Sequence, residues 1–210
     1  MSRLRVAVVI SGRGSNMLSL LDAMADPAFP AQPVLVAANL PDAGGLAAAA
    51  ARGVPTACVD HRPFGADRTA FEQALSAEIE AAEADCVCLA GFMRKLTPWF
   101  VARWRDRALN IHPSLLPAFR GLDTHARALA AGVAVHGCTV HLLRDDLDDG
   151  PILGQAALAV RAGENADGLA RRVLAIEHRL YPACLAAWAC GARRVEGDRL
   201  TGAPIALFEG

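Results

Sequence analysis

The sequence predicts an α/β protein in which a doubly wound, mostly parallel twisted sheet carries helices on both faces. Short apolar segments of strand length alternate with longer segments whose apolar residues recur at helical spacing. The strand segments are apolar at nearly every position, which is typical of parallel strands buried on both faces. The 210 residues are 53% hydrophobic and 20% charged, so we exclude a disordered or collagen-like chain and expect a substantial core.

The first half of the sequence predicts three strand–helix units followed by a fourth strand. Apolar, β-branched runs indicate the strands, and Asp67 is placed to cap the third helix. The predicted strands are 4–10, 34–38, 56–59 and 86–90, and the predicted helices are 16–25, 44–52 and 67–82. This alternation is the pattern of a parallel, doubly wound sheet.

The second half differs, because irregular segments separate its elements. The predicted strands are 108–111, 137–143 and 152–160, and a long helix covers 167–189. Pro and Gly residues make 113–122 an irregular loop, and an acidic turn over 145–150 joins the last two strands. We expect Pro182 to kink or divide the long helix. No repeat or linker interrupts the pattern, so we expect a single domain over 1–210.

Charge and composition exclude several classes of partner. Lys and Arg total 21 against 22 Asp and Glu, so the net charge of -1 gives no drive toward nucleic acid or a membrane surface. No apolar stretch reaches the roughly 18 residues of a membrane span, and no secretion signal is recognised, so we expect a cytoplasmic protein. None of the 6 cysteines forms a Cys-x-x-Cys pair, which favours reduced thiols. The expected partners are small molecules.

A Gly-rich turn, Ser-Gly-Arg-Gly-Ser-Asn at 11–16, follows the first predicted strand and begins the first helix. Glycines let the backbone approach an anion, and a helix N-terminus presents unpaired N–H groups, so this turn suits a phosphate. It lacks the third glycine of a dinucleotide fingerprint and the Gly-Lys-Ser/Thr of an ATP-binding loop. On these residues alone, the alternative is a plain tight turn with a helix cap.

Asn110 and His112 lie two residues apart at the end of a predicted strand, so their side chains project from one face. An amide donor beside an imidazole is suited to stabilising an oxyanion, and parallel sheets bind ligands at the carboxyl ends of their strands. The alternative is a structural role for both residues. No Gly-x-Ser-x-Gly elbow surrounds Ser114, which argues against a serine hydrolase.

The segment Leu-Asp-Asp-Gly-Pro at 147–151 contains a further candidate, Asp148. A carboxylate beside His112 would favour the charged imidazolium, as an acid or electrostatic catalyst requires. An acidic hairpin turn is the alternative. His136 and His141 precede this segment and would complete a metal site, but their spacings match no specific ligand pattern, so we expect no metal.

A fourth segment, Gly-Phe-Met-Arg-Lys-Leu at 91–96, follows another predicted strand. It combines apolar surface with the cations Arg94 and Lys95, as a site for an aromatic ring system that bears carboxylates requires. Solvated surface cations are the alternative for this segment.

Together these segments resemble the phosphoribosylglycinamide formyltransferases, a family of folate-dependent enzymes of purine biosynthesis. The segments that carry the resemblance, in an order and spacing that fit nearly the whole chain, are 11–16, 89–94, 110–117, 136–141, 147–151 and 177–182. The Asn-x-His-Pro-Ser-Leu-Leu-Pro and Leu-Asp-x-Gly-Pro patterns are shared by folate-dependent formyl transferases and hydrolases of this formyltransferase fold. The Ser-Gly-x-Gly-Ser-Asn turn and the Glu-His-x-x-Tyr-Pro helix are particular to the glycinamide ribonucleotide enzymes.

The resemblance implies transfer of the formyl group of 10-formyltetrahydrofolate to the amine of glycinamide ribonucleotide, without a metal. It makes Asn110, His112 and Asp148 catalytic and places Glu177 on the ribose. The phosphate would bind Gly14, Ser15 and Asn16. The folate-binding set comprises Arg68, Met93, Arg94, Lys95, Leu96, Asn110, Arg144, Asp145, Asp146, Leu147 and Asp148. The N-terminal half would bind the nucleotide, the C-terminal half would bind folate and carry the chemistry, and the chain would act as a monomer or weak homodimer.

Three alternatives share parts of this pattern: a formyltetrahydrofolate hydrolase, a transfer-RNA formyltransferase and a noncatalytic folate- or nucleotide-binding module. We expect an extra domain before the first strand in the hydrolase and an extra RNA-binding domain in the transfer-RNA enzyme. The joint presence of an Asn, a His and an Asp at the predicted site argues against the noncatalytic module. Two positions depart from the family pattern: Leu40-Pro41 follows Asn39 where a polar or basic residue is frequent, and Asp149 replaces a frequent Gly.

Overall fold

The computed structural model describes residues 2–197 and 199–209. The chain divides into two compact units, the first ending at Leu109 and the second beginning at Asn110. Each unit contains strands and helices that alternate along the chain, and each is described in turn. The expectation of one domain over 1–210 stays a prediction.

The first unit contains four parallel strands and four helices. The strands are β1 (Leu4–Ile10), β2 (Ala31–Ala38), β3 (Thr56–Cys58) and β4 (Cys86–Leu89). The helices are α1 (Ser15–Met24), α2 (Gly44–Ala50), α3 (Arg68–Ala81) and α4 (Pro98–Arg103), with a 3-10 turn at Arg62–Phe64. The strands lie in the order β4-β1-β2-β3, and each pairing is parallel. Their carboxyl ends therefore meet at one edge, where ligands bind in α/β proteins.

Burial explains why these residues form these elements. Residues 6–10 of β1 have no exposed surface, as expected for a strand covered on both faces. The residues buried by α1 recur at helical spacing and include Met17, Leu20, Leu21 and Met24. The side chain of Asp67 accepts a hydrogen bond from the N–H of Ala70 at 2.9 Å, so the predicted cap of α3 is present.

The second unit contains a long helix and strands of both orientations. The strands are β5 (Ala108–His112), β6 (Val135–Leu142), β7 (Ile152–Ala159), β8 (Arg194–Glu196), β9 (Arg199–Thr201) and β10 (Ile205–Glu209). The helices are α5 (Thr124–Ala130) and α6 (Ala166–Ala189). β6 lies between β5 and β7 and is antiparallel to β7, whereas β10 is parallel to β7. β8 and β9 pair with each other.

The predicted mostly parallel fold is confirmed, and each predicted strand and helix is present with its ends shifted by at most 3 residues. Pro182 was expected to kink or divide the long helix; division is wrong, because α6 continues through it, and the kink stays a prediction. Tyr181 and Leu185 on either side are fully buried, and this packing outweighs the one missing N–H donor. The sequence did not predict α4, α5 or β8 to β10, whose short lengths carry little periodicity. No helix in the described part of the chain is long and apolar enough to cross a membrane.

Candidate active site

The predicted phosphate turn connects β1 to α1 in the first unit. Gly14 is the N-cap of α1 and has a φ of 72°, a left-handed conformation that favours glycine. The first-turn N–H groups of a helix have no partner within the helix, and among the described residues no side chain caps α1. The turn therefore has the backbone geometry predicted for an anion site.

Two neighbouring segments hold this turn in place. The hydroxyl of Ser11 accepts a hydrogen bond from the N–H of Met93 at 2.9 Å, and the N–H of Ser11 donates to the carbonyl of Gly91 at 3.2 Å. The N–H of Gly45, in α2, donates to the carbonyl of Gly12 at 3.1 Å. The phosphate turn and the predicted folate-binding loop after β4 are thus neighbours within the first unit.

The folate-binding residues predicted in the first unit lie at the start of α3 and in the loop after β4. They are Arg68, Met93, Arg94, Lys95 and Leu96. The guanidinium of Arg68 donates to the carbonyl of Lys95 at 3.4 Å, and that of Arg94 lies 5.2 Å from the centroid of the Phe71 ring. Met93 is 72% exposed. An exposed apolar side chain beside cations suits an aromatic ligand that carries carboxylates.

The three predicted catalytic residues lie together in the second unit. Asn110 and His112 occupy alternate positions of β5, and Asp148 comes from the loop between β6 and β7. His112 Nδ1 lies 3.3 Å from Asp148 Oδ2, and each of these side chains is 7% exposed. Asp148 has a left-handed φ of 52°, and its carboxylate accepts the N–H of Gly121 at 2.9 Å. This contact helps offset the backbone strain.

Both ring nitrogens of His112 face oxygen atoms that can only accept. Nε2 lies 3.0 Å from the carbonyl oxygen of Phe119, and Nδ1 faces the carboxylate of Asp148. A neutral imidazole has one N–H and would leave one of these acceptors without a donor. A doubly protonated ring would have an acceptor beside each nitrogen.

A second buried histidine orients Asn110. The Nδ2 amide of Asn110 lies 3.2 Å from Nε2 of His141, whose Nδ1 lies 2.9 Å from the carbonyl oxygen of Leu142. Since that carbonyl only accepts, Nδ1 carries the proton and Nε2 accepts from Asn110. Burial lowers the pKa of His141, which favours its neutral ring. From the sequence, His141 is a neighbour of the acidic turn, a rejected metal ligand and a member of the 136–141 segment, but its contact with Asn110 was not predicted. Its place at the end of a buried strand was the available signal.

The loop between β6 and β7 contains four further residues of the predicted folate set. They are Arg144, Asp145, Asp146 and Leu147. The two aspartates are exposed, Leu147 is 50% exposed, and the guanidinium of Arg144 donates to the carbonyl of Leu143 at 2.8 Å. A Cβ on Gly150 would lie 1.6 Å from the carbonyl oxygen of Leu142, so the return of the loop to β7 requires glycine there.

His136 has partners other than the carboxylate of Asp148. Its Nε2 lies 3.2 Å from Nδ1 of His125, and its ring meets that of Phe119 edge to face. Burial and the neighbouring His125 lower the pKa of His136 to about 4. In residues 2–197 and 199–209, no group of three His, Cys, Asp or Glu side chains is arranged to hold a metal ion.

Glu177 lies on the buried face of α6 and is 6% exposed. It is close to Cys138 of β6, since its charge adds to the effect of burial in raising the pKa of that thiol. A buried carboxylate is a strong, fixed acceptor for hydroxyl groups. Its role toward a ribose stays a prediction.

The fold and the Asn–His–Asp site define a class of protein. Residues 4–185 match the model of the formyl transferase family, and the chain belongs to this family. It is 40% identical over 188 residues to phosphoribosylglycinamide formyltransferase of Escherichia coli (strain K12), a match that covers 90% of this chain and 88% of that protein. It is 44% identical over 191 residues to the trifunctional purine biosynthetic protein adenosine-3 of Bos taurus. That match covers 91% of this chain but spans only 19% of the trifunctional protein.

Solved structures resemble this chain over most of its length. Glycinamide ribonucleotide transformylase 1 of Symbiobacterium toebii matches with a TM-score of 0.90 and 41% identity, covering 94% of this chain and 93% of that one. Formyltetrahydrofolate deformylase of Burkholderia mallei matches with a TM-score of 0.85 and 28% identity, covering 96% of this chain and 70% of that one. Enzymes with two different named activities therefore share this fold.

Proposed function

We propose that this chain transfers the formyl group of 10-formyltetrahydrofolate to the amine of glycinamide ribonucleotide, producing formylglycinamide ribonucleotide and tetrahydrofolate. The observation that carries the proposal is the buried contact of His112 with Asp148, on the strand that also presents Asn110. Fixed donors of this kind suit a reaction whose intermediate bears an oxyanion. The similarity to the Escherichia coli phosphoribosylglycinamide formyltransferase supports this choice of substrates.

In the first step, the neutral amine attacks the formyl carbon and the formyl oxygen becomes an oxyanion. One N–H of the Asn110 amide donates to His141, and the second N–H can donate to the oxyanion. His112 provides a charged donor. An oxyanion accepts more strongly than the Phe119 carbonyl, so we expect the Nε2–H of His112 to be shared between Phe119 and the intermediate. Asp148 stays paired with Nδ1 and balances the charge.

The intermediate collapses when the bond between the formyl carbon and N10 of the folate breaks. The attacking amine loses one proton and N10 gains one, so a single proton passes between them, and a water molecule is a suitable carrier. The scheme uses no metal, because Asn110 and His112 supply the stabilisation of the negative charge.

The remaining predicted residues would bind and orient the two substrates. Gly14, Ser15 and Asn16 would hold the phosphate at the start of α1, and Glu177 would accept hydrogen bonds from the ribose. Folate would contact Arg68, Met93, Arg94, Lys95, Leu96, Asn110, Arg144, Asp145, Asp146, Leu147 and Asp148. We propose that the chain performs this reaction in the cytoplasm as a monomer or weak homodimer.

Measuring tetrahydrofolate release with and without glycinamide ribonucleotide tests this function. We expect release only when the ribonucleotide is present, because its amine is the nucleophile. Release at the same rate without the ribonucleotide would instead establish a hydrolase, the activity named for the Burkholderia mallei deformylase. Binding of both ligands without any release would establish a noncatalytic module.

A further inference from the structure

We propose that Arg120 and Asp149 are positioning residues, whose ion pair holds the backbone of 119–123 against Asp148 and so keeps His112 between its two acceptors. The guanidinium of Arg120 and the carboxylate of Asp149 are in direct contact. The effect on catalysis rests on the proposed function. Neither residue belongs to the catalytic or binding sets predicted from the sequence.

The segment 119–123 has a backbone conformation that its residues do not favour. Phe119 has a φ of 54° and Asp123 a φ of 57°, and Gly121 between them has a φ of 80°. Residues that carry a Cβ disfavour left-handed φ values. Contacts with the rest of the unit must therefore hold this conformation.

Two of these contacts involve the catalytic residues directly. The carbonyl oxygen of Phe119 lies 3.0 Å from Nε2 of His112, and the N–H of Gly121 donates to Oδ2 of Asp148 at 2.9 Å. The same Oδ2 lies 3.3 Å from Nδ1 of His112. Any displacement of 119–123 would therefore change the hydrogen bond at Nε2 of His112 and the contact of Nδ1 with the carboxylate of Asp148.

The ion pair lies beside these contacts. Arg120 contacts Asp149, and the next residue, Gly121, donates to Asp148. Two adjacent residues of 119–123 therefore contact two adjacent residues of the loop between β6 and β7. The side chains of Arg120 and Asp149 are 40% and 44% exposed, whereas those of His112 and Asp148 are each 7% exposed. The ion pair is thus partly exposed, whereas the pair of His112 with Asp148 is buried.

This ion pair is suited to controlling the position of the 119–123 backbone and not the overall stability of the protein. An exposed ion pair contributes little to the free energy of unfolding. Small misplacements of a catalytic group can nevertheless lower turnover strongly, because the donors must match the transition state. Loss of the ion pair should therefore lower kcat more than it raises KM.

The test compares Asp149→Asn, Arg120→Gln and the double variant with wild type. We expect each single change to lower kcat by about fivefold with KM nearly unchanged, and the double variant to be no slower than either one, since all three remove the same interaction. Glu80→Gln is the matched control: it removes the 2.8 Å partner of Arg103, in an ion pair whose side chains are 42% and 41% exposed. The control should retain wild-type kcat.

A second readout needs no substrate. In nitrogen-15 spectra of the free protein, the two ring nitrogens of His112 should shift in Asp149→Asn and Arg120→Gln but not in Glu80→Gln. Unchanged His112 signals in both variants, or single effects on kcat that add in the double variant, would overturn the proposal. If wild type does not transfer formyl groups, the proposed function fails, whereas the spectra still decide whether the ion pair positions His112.

Discussion

At the scale of single residues, two neighbouring histidines differ in the atoms that face their ring nitrogens. His112 faces a carbonyl and a carboxylate, so its imidazolium has a partner for each N–H. His141 Nδ1 faces the carbonyl of Leu142, and its Nε2 lies 3.2 Å from the amide of Asn110 and 3.8 Å from Oδ1 of Asp148. Its neutral ring therefore has a partner at each nitrogen. We expect His112 to supply charge to the proposed reaction while His141 orients Asn110.

The charge of Asp148 should matter more than its shape. Asp148→Asn keeps the size of the side chain but removes the negative charge that faces His112, so we expect kcat to fall by roughly 100-fold. Asp22→Asn, at a 65% exposed carboxylate that pairs with Arg52, should retain full activity. Steady-state kinetics measure both, and circular dichroism checks the fold. Wild-type kcat in a folded Asp148→Asn protein would refute the electrostatic role.

The backbone at Gly14 should matter for the phosphate. Gly14→Ala places a Cβ at a left-handed residue, which costs about 1 kcal/mol of stability, and that Cβ would lie 3.2 Å from Cε of Met17. Relief of this crowding should shift the backbone N–H groups that would meet the anion. We expect the KM for glycinamide ribonucleotide to rise by about tenfold or more, as for loss of a charged hydrogen bond. Gly53→Ala is the control, because Gly53 has a φ of 74° and open space around its Cβ position. Equal KM values in the two variants would show that the phosphate does not bind at this turn.

At the scale of elements, one buried hydroxyl fixes the loop that follows β5. Thr139 Oγ1, on β6, accepts from the N–H of Leu116 at 3.0 Å and from Gln155 Nε2 at 3.1 Å, and it donates to the carbonyl of Ser114 at 2.7 Å. Gln155 also donates to the carbonyl of Leu116 at 2.9 Å. The first residues after His112 are therefore tied to two strands, and the imidazole gains a rigid support.

Thr139→Val tests this support, since valine has the same shape without the hydroxyl. Because Thr139 is fully buried, its former partners would lose hydrogen bonds without gaining water. We expect the free energy of unfolding to fall by about 1–3 kcal/mol. Thr56→Val, at an exposed position of β3, should change it by no more than about 0.5 kcal/mol. Urea unfolding measures both, and equal stabilities would show that the network contributes nothing.

At the scale of the whole molecule, buried and half-buried histidines should make stability depend on pH. Burial lowers the pKa values of His125, His136, His141 and His178, that of His136 to about 4. In the unfolded chain a histidine titrates near pH 6.5. Between about pH 6.5 and 4 the unfolded state therefore binds more protons than the folded state. Stability from these groups is complete above that range and is lost as the pH falls through it.

The melting temperature should accordingly fall as the pH is lowered from about 7.5 to 4.5. In His136→Gln the melting temperature should depend less steeply on pH, because one buried imidazole no longer resists protonation. Each unit of pKa shift corresponds to about 1.4 kcal/mol, so the effect is large enough to measure. A wild-type melting temperature that stays constant over this range would contradict the inferred burial of neutral histidines.

The sequence predicts most of the elements because their signals are local. Strands buried on both faces are apolar throughout, and the stripe of α1 repeats every three to four residues. Pro182 shows where a local rule fails, since tertiary packing overrides it. The ion pair of Arg120 with Asp149 depends on left-handed residues such as Phe119, which nothing in the local sequence specifies. Residue types thus indicate candidates for the site, and loop geometry decides their partners.

The central claim is that the formyl carbon moves from folate to the amine of glycinamide ribonucleotide at the site of His112. Following a carbon-13-labelled formyl group on the folate tests it most directly. We predict that the label appears in formylglycinamide ribonucleotide, one for each tetrahydrofolate released, and that His112→Ala slows this transfer. Label recovered as formate, at a rate independent of the ribonucleotide, would contradict the claim.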